Sequence, residues 1–478
     1  MEQVPVATPS QEWILMFQAD QKVVPKSVWG RFARSRWVMV WFTQLLYYGT
    51  AWLQYNGRQA LLFDLDTRRF FLGPLVFYPQ DFIYLTGLLI IAALSLFLFT
   101  AVAGRVWCGY ACPQTVYTEI FMWFERKIEG DRNERLRRAA GPWTAERSSR
   151  TLAKNAVWIA FAAFTGFTFV GYFTPIRELT HELITFSIQP WELFWIGFYS
   201  LATFGNAGFM REQVCKYMCP YARFQSAMFD KDTLLVTYDE QRGEPRGSRS
   251  RKAELIPNKL GACVDCNLCV QVCPTGIDIR KGLQYECIGC AACVDVCDQV
   301  MDKMGYARGL VRYSTQNSVQ QGWSASQMLR RAFRPRVLVY TAVVWILIAA
   351  MAMAIVARDD LRVDVVRDRT VNYRLVENGQ IENVYRLNLM NASEYTLQVQ
   401  TSLLGDNTDV KVVDGQALVL NPTESRWVVV HVQADPDSVH AGSNPITFRI
   451  ESARLDQGRP LSETVEHIDE PAVFLAPR

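Results

Sequence analysis

Residues 263–274 read CVDCNLCVQVCP, and residues 287–297 read CIGCAACVDVC. Both spell C-x2-C-x2-C-x3-C. Short spacings let three thiolates close on one corner of a metal–sulfur core, while the fourth, after a longer step, reaches elsewhere. This is the bacterial ferredoxin run, in which the fourth cysteine ligates the other of two [4Fe–4S] cubes. By that rule Cys263, Cys266, Cys269 and Cys297 hold one cube, and Cys287, Cys290, Cys293 and Cys273 hold the other. Pro274 follows the first run as the motif requires. Asp298 stands in that place after the second, which bears on loop shape rather than on ligand number. Zinc sites built from C-x2-C units are the competing reading, and eight cysteines in a doubled pattern count against it. The expected product is a ferredoxin-like α+β insert over residues 231–336, with two clusters close enough to pass electrons.

Five apolar stretches flank this insert: Trp37–Gln54, Phe82–Ala103, Ala156–Phe173, Trp191–Met210 and Val337–Val356. Each approaches the roughly 20 residues a spanning helix needs, and aromatic residues cluster near the ends as they do at bilayer interfaces. Lys22, Lys26, Arg31, Arg34 and Arg36 precede the first stretch, and a run of basic residues from Arg105 to Lys154 separates the second from the third. The other two connections carry only Arg58, Arg68 and Arg69, and only Arg177. Positive charge stays inside, so the N-terminus and the long second loop are expected in the cytoplasm. Five crossings then export the region beyond Val356. The expected plan is a cytoplasmic segment 1–36, a four-helix membrane domain 37–230, the insert 231–336, a fifth helix 337–357 and a periplasmic domain 358–478. The first span begins too late to be an ordinary cleaved signal peptide. All 12 cysteines lie between Cys108 and Cys297, on the reducing side, where thiols serve as ligands rather than staples.

Two further cysteine pairs sit at the cytoplasmic ends of spans. Residues 105–113 read RVWCGYACP and residues 211–220 read REQVCKYMCP. If the helix runs through each pair, Cys108 and Cys112 share one face, as do Cys215 and Cys219. The prolines would start or kink a new helix. The two hairpins form an internal repeat, and packed about a pseudo-axis they bring four thiols together. Soft thiolates select Cu(I), zinc or iron–sulfur centres. Four readings stay open here: copper binding and reduction, a third cluster, a redox dithiol, or small buried residues. Arg105 and Arg211 either lower the thiol pKa values or act as ordinary positive-inside anchors.

The formal net charge of +3 is too mild to argue for nucleic acid, and a chain that is 50% hydrophobic is neither disordered nor a small disulfide scaffold. None of the four histidines lies in a span, so paired haem ligation is not expected. His431 and His440 read as surface residues. Residues 59–81, apolar but broken by Gly73, Pro74 and Pro79, read as an interfacial loop. After Val356 the pattern alternates at Tyr385, Leu387 and Leu389, at Tyr395, Leu397 and Val399, across Trp427–Val432, and at Ile446, Phe448 and Ile450. Turn signals at Glu377-Asn378-Gly379, Gly405-Asp406-Asn407 and Asp414-Gly415 separate these stretches. Short strands at such spacing predict an all-β sandwich.

The combination of WCGYACP at 107–113, CKYMCP at 215–220, the two cluster runs and RRFFLGPLVFYPQDF at 68–82 resembles the cytochrome c oxidase accessory protein family, CcoG or FixG. The resemblance spans nearly the whole chain. It implies a multidomain membrane protein of the bacterial inner membrane, with about five transmembrane helices, the two-cluster insert and a C-terminal immunoglobulin-like domain. It also implies a cupric reductase role in haem–copper oxidase assembly. Electrons from a cytoplasmic donor would pass through the clusters to copper, as substrate or transient ligand, at Cys108, Cys112, Cys215 and Cys219. Oxidase subunits or copper chaperones, the lipid bilayer and a second copy of the chain are the implied partners. The alternatives are a quinol-linked respiratory electron carrier and a redox-sensing scaffold without catalysis.

Overall fold

Among the apolar stretches, Phe82–Ala103 becomes a 22-residue helix in which no side chain carries a charge at neutral pH. It is led in by a one-turn helix at Pro79–Asp81 and ended by Gly104 at φ +56°, a left-handed stop that glycine adopts without a Cβ clash. The computed structural model describes every residue except 1–22, 251–259, 377–378, 405–409, 414, 416, 457–458, 462–464 and 478. Lys22 and the turn residues Glu377, Asn378, Gly405, Asp406, Asn407 and Asp414 lie outside the described residues. The chain divides into two units, residues 1–49, 89–170 and 182–346, and residues 50–88, 171–181 and 347–478.

The helices used below are α1 (Arg31–Thr50), α2 (Phe82–Ala103), α3 (Pro113–Glu129), α4 (Ala145–Val170), α5 (Pro190–Thr203), α6 (Pro220–Met228), α7 (Ala292–Met304) and α8 (Pro335–Val356). Among the described residues, three helices are long and apolar enough to cross a membrane: Pro79–Ala103, Ala145–Val170 and Pro335–Val356. The expected five are not all of that kind. The first window falls in α1, which begins six residues earlier and takes in Arg31, Arg34 and Arg36. The fourth breaks: α5 ends at Thr203 and the chain continues as wide i→i+5 turns over Phe204–Met210. Such π-type turns mark strained or functional segments.

In the first unit, α4 crosses α5 closely at Gly166, where a Cβ would lie 2.6 Å from the Ile196 carbonyl oxygen. Phe121 of α3 and Trp158 of α4 stack at the centre, fully buried, with Ala162 and Ala207 around them. The insert is α+β as expected. Strands Leu235–Tyr238 and Val311–Ser314 pair antiparallel, and α7 packs on them through Val294 and Met301.

In the second unit, residues 361–476 form two five-stranded sheets. Strand Ile381–Asn391 lies between Ser425–Ala434 and Leu361–Arg367, with Tyr385 opposite Val430 and Leu387 opposite Val428. Strand Gly442–Asp456 lies between Leu397–Leu404 and Glu466–Ala476. The period-two alternation sends Tyr385, Leu387, Leu389, Phe448 and Ile450 into the space between the sheets. Tyr385 meets Phe448 edge to face at 5.0 Å, and its hydroxyl donates to the Val473 carbonyl across the sandwich at 2.8 Å. Tyr395, expected in a strand, lies outside one and is exposed. His440 is exposed as expected, whereas His431 is only partly so and sets Nδ1 3.3 Å from Glu382.

Residues 59–81 are more ordered than the interfacial loop expected of them. Leu61–Asp64, Arg69–Leu72 and Leu75–Phe77 form a three-stranded meander. Its Leu62, Phe71, Val76 and Tyr78 are buried with Met390 and Ala392 of the sandwich. Tyr78 donates to the Asn391 carbonyl at 3.0 Å, and Arg358 pairs with Asp81 at 2.6 Å. Leu62, Phe71, Val76 and Tyr78 therefore cover protein, while Leu65 and Leu72 stay exposed.

Candidate metal centre

The backbone of the two cysteine runs repeats itself. Asp265 and Gly289, each just before the second cysteine, have φ of +50° and +67°; Asn267 and Ala291, just after it, have +55° and +57°. A non-glycine residue held left-handed costs about 1–2 kcal/mol, and both runs bear that cost at matching positions. The result is a loop wound so that its thiols converge. Cys263, Cys266, Cys269 and Cys297 line one cavity of about 380 Å3 of empty space, together with Tyr238, Leu310 and Arg280. Cys273, Cys287, Cys290 and Cys293 line a second of about 340 Å3, and Cys269 lines both. Each cavity thus includes one quartet of the crossed ferredoxin rule. Asp298 replaces proline because Cys297 lies inside α7, where a proline would interrupt the helix. Its carboxylate instead accepts the Gly309 N–H at 2.9 Å.

The donor set fits cubes better than single ions. Thiolates on one tetrahedral ion with 2.3 Å bonds stand about 3.8 Å apart, and among the described residues no three Cys, His, Asp or Glu side chains converge so tightly as to hold one ion. A four-iron cube holds its thiolates further apart. Burial pushes the Cys269 thiol up to about 11, opposed by Arg280, and the Cys297 and Cys287 thiols up to about 12. Iron takes the thiolate form, so each of these thiols gives up its proton as a cluster binds.

The C-x3-C-P pairs lie against this insert. The helix does not run through either pair, so the shared-face arrangement is not formed. In the first, a short helix ends at Tyr110, Cys112 caps α3 with extended φ and ψ, and Pro113 is the first helical residue. In the second, Cys215 lies in a wide turn Val214–Met218, Cys219 caps α6, and Pro220 begins it. The prolines thus start new helices, each with fixed φ suited to the first turn. The repeat still brings the thiols together. Cys108 Sγ meets Gln225 of α6 at 3.6 Å. Burial pushes the Cys215 thiol up to about 12, and Cys112, Cys108 and Cys219 each add to the rise. Burial and Cys112 likewise push Cys108 up to about 11. Arg105 pulls in the opposite direction and is outweighed, so the arginines do not make these thiols acidic. Arg211 is occupied elsewhere, paired with Glu125 of α3 at 2.9 Å and lying 5.5 Å over the Trp158 ring.

Cys108 and Cys215 pack on the same apolar cluster as Ile288, Cys290 and Val296. At Gly109 the two backbones touch: a Cβ there would lie 2.8 Å from the Ile288 carbonyl oxygen and 2.9 Å from the Cys290 Cα. Arg105, buried, donates to the carbonyls of Tyr285 and Ala222. Arg36 of α1 donates to the Cys290 carbonyl at 3.0 Å. Asp295 of α7 accepts the N–H groups of Phe32 and Ala33 at 3.1 and 2.7 Å, fastening the start of α1. Sequence reasoning had no signal for Gly109, Arg36 or Asp295, whose partners lie more than 170 residues away.

Two clusters' worth of cysteine in a folded insert, helices of membrane length and a terminal sandwich define a membrane-anchored iron–sulfur protein. Comparison with known proteins agrees. Residues 210–316 match the family described as 4Fe-4S dicluster domain, residues 85–130 match 4Fe-4S binding domain, and residues 351–477 match the immunoglobulin-like fold at the C-terminus of FixG. The chain is 38% identical over 452 residues to the nitrogen fixation protein FixG of Rhizobium meliloti, covering 88% of this chain and 85% of that one. It is 41% identical to protein RdxA of Cereibacter sphaeroides, covering 92% and 95%, and 40% identical to protein RdxB of the same organism, covering 82% and 85%. A crystal structure of a FixG-related protein from Vibrio parahaemolyticus aligns at 22% identity and a TM-score of 0.20, covering 25% of this chain and 97% of that one. The chain belongs to the FixG/RdxA family.

Proposed function

We propose that this protein reduces Cu(II) to Cu(I) at Cys108, Cys112, Cys215 and Cys219, in support of haem–copper cytochrome c oxidase assembly in the bacterial inner membrane. The observation that supports this reading is that one thiol from each repeat, Cys108 and Cys215, packs on the cluster-binding loop beside Cys290, with Gly109 against that loop and with Cys112 and Cys219 in electrostatic reach of Cys215. Cys263, Cys266, Cys269 and Cys297 hold one [4Fe–4S] cluster, and Cys287, Cys290, Cys293 and Cys273 the other. Bound there, the clusters supply single electrons. Each cupric ion takes up one electron and becomes cuprous, and thiolates retain the softer product. A site preferring Cu(I) by about 3 kcal/mol favours it more than a hundredfold. Buried thiols lose their protons as the metal binds. Five crossings, with α1 and α5 completing the membrane domain, place the clusters in the cytoplasm and the sandwich in the periplasm. The oxidase role rests on the resemblance to the oxidase accessory family.

The test uses full-length protein purified without oxygen and reduced before Cu(II) is added. Cu(I) formation, followed with a cuprous chelator, is expected at one ion per electron stored. Replacing all four cysteines by serine is expected to abolish it while the iron content stays constant. Undiminished reduction in that variant rejects the site.

A second reading has its own observation. Residues 85–130 match a 4Fe-4S binding domain although Cys108 and Cys112 are the cysteines they contain. Completed by Cys215 and Cys219, the quartet has the four thiolates of a third cube. Iron analysis separates the readings, with about eight irons per chain for two cubes and about twelve for three.

A further inference from the structure

Two arginines reach the ligand loop of one cluster site and not the other. Arg36, at the foot of α1, is 9% exposed and donates Nη1 to the Cys290 carbonyl at 3.0 Å. Arg105, just before the first C-x3-C pair, is 4% exposed and donates to the Tyr285 carbonyl, two residues ahead of Cys287. Gly289 is wrapped against Arg105, since a Cβ there would lie 3.2 Å from the Arg105 backbone. Neither guanidinium forms an ion pair among the described residues; both are held by carbonyls. Each also keeps a buried Nε–H without an acceptor among the described residues. Asp295 and Glu119 are the acids in electrostatic reach of Arg36, and Asp295 is already taken by the N–H groups of Phe32 and Ala33.

The other site is arranged differently. Of its arginines, Arg280 is spent on carboxylates, Asp278 at 2.8 Å and Asp265 at 2.6 Å, and Arg249, which donates to the Cys263 carbonyl at 3.2 Å, is partly exposed so that solvent screens its charge. Asp298 adds negative charge beside Cys297, and Cys266 is exposed to solvent. Cluster potential is set by net charge, hydrogen bonds and solvent exposure. A reduced cluster carries one more negative charge, so an unpaired cation held nearby in a region of low dielectric stabilises the reduced form and raises the potential. Burial acts the other way. The cysteines of the inner site are the more deeply buried set, and without the arginines that site would be the harder to reduce.

We propose that Arg36 and Arg105 set the order of the two potentials. They make the cluster of Cys287, Cys290, Cys293 and Cys273 the higher in potential, so that an electron entering at the exposed site comes to rest beside the C-x3-C-P thiols. Both are positioning residues acting on the cluster through its loop and through charge. The inference rests on the two-cluster reading of the cysteine cavities and not on copper being the acceptor.

Redox titration of the full-length protein by EPR tests it. The wild type is expected to show two resolved one-electron waves. Arg36→Gln and Arg105→Gln are each expected to lower the upper wave alone. At fixed poise the reduced-to-oxidised ratio of that cluster should fall at least tenfold, which is 59 mV for a one-electron couple. Arg280→Gln, which leaves Asp278 and Asp265 uncompensated, should lower only the lower wave. Arg36→Lys and Arg105→Lys keep the charge and should restore the upper wave. Coincident wild-type waves, waves that move together, or no movement in the Gln variants overturn the proposal. If a Gln variant loses iron, the Lys variant at the same position decides: an upper wave that falls with the charge retained overturns it, and one that stays supports it. Copper reduction can fail in a separate assay without altering either wave, and absence of iron in the wild type would reject the two-cluster reading itself.

Discussion

Gly109 is where the first C-x3-C pair meets the cluster loop, and its need for a hydrogen in place of a side chain comes from backbone on the other side. A methyl group would fall within 2.9 Å of Cys290 N and Cα. Neither atom can swing away as a side chain would. Gly109→Ala is therefore expected to cost about 1–3 kcal/mol, the range for overpacking a tight site. It should also part the pair from the loop, slowing electron delivery to the thiols while iron content is kept. Thermal unfolding and the rate of Cu(II) reduction from pre-reduced protein check the two effects. The residue at the same place in the second pair is Lys216, so the repeat is symmetric in its cysteines and prolines but not in what it touches. The eight cysteines of the two runs could be read as a set because ligand spacing is local, written within eleven residues of chain. Gly109, Arg36 and Asp295 could not be read, because the reason for each lies in a segment more than 170 residues distant. Arg105 and Arg211 show a related limit: equivalent by sequence, one grips carbonyls of the insert and the other pairs with Glu125.

At the scale of elements, hydropathy alone identified α2, α4 and α8 well, since long apolar helices owe their form to length and composition. It said less about α1 and α5. Both depart from a plain apolar run: α1 enters its apolar part through three arginines, and α5 loosens into π-type turns before the second cysteine pair. What holds that loosened segment is a buried ionic knot that no periodicity reveals. Glu125 of α3, 1% exposed, accepts Arg211 at 2.9 Å and Arg135 at 2.6 Å. Arg211 Nε also donates to the Gly208 carbonyl at 2.9 Å. Removing one partner of a buried pair leaves a charge without compensation and costs about 3–5 kcal/mol. Glu125→Gln leaves Arg211 without a carboxylate and Arg135 with Glu129 alone, at 3.7 Å, so a loss within that range is expected. The damage should concentrate at Phe204–Cys219. Hydrogen exchange resolved by peptide should show that segment opening first, and uniform protection across it would mean the knot is not what fixes the turns.

Across the whole molecule, the meander at residues 61–77 and the sandwich form a single folded unit, joined by Arg58–Glu394, by Tyr78 to the Asn391 carbonyl, and by Arg358 with Arg362 on Asp81. The sequence shows two apolar segments bordering a polar domain; the packing shows that the chain just before α2 and the chain just after α8 belong to one body. Parts of one folded body lie on one side of a bilayer. On that basis α2 and α8 are expected to enter from the same face, whatever the number of the remaining crossings, with labelling of the basic stretch after α2 expected from the opposite face. Three surface cysteines test this. Thr67→Cys in the meander and Asp437→Cys in the sandwich should both react with a membrane-impermeant maleimide in intact spheroplasts. Ala139→Cys, exposed in the basic stretch, should react only after the membrane is opened. Because the native thiols are not fully exposed save Cys266, which lies with the clusters, background labelling is expected to rise only on permeabilisation, together with Ala139→Cys. Labelling of Thr67→Cys and Asp437→Cys from opposite faces would break the unit that the buried Asp81–Arg358 pair closes, and with it the argument for where the cysteines and their electrons reside.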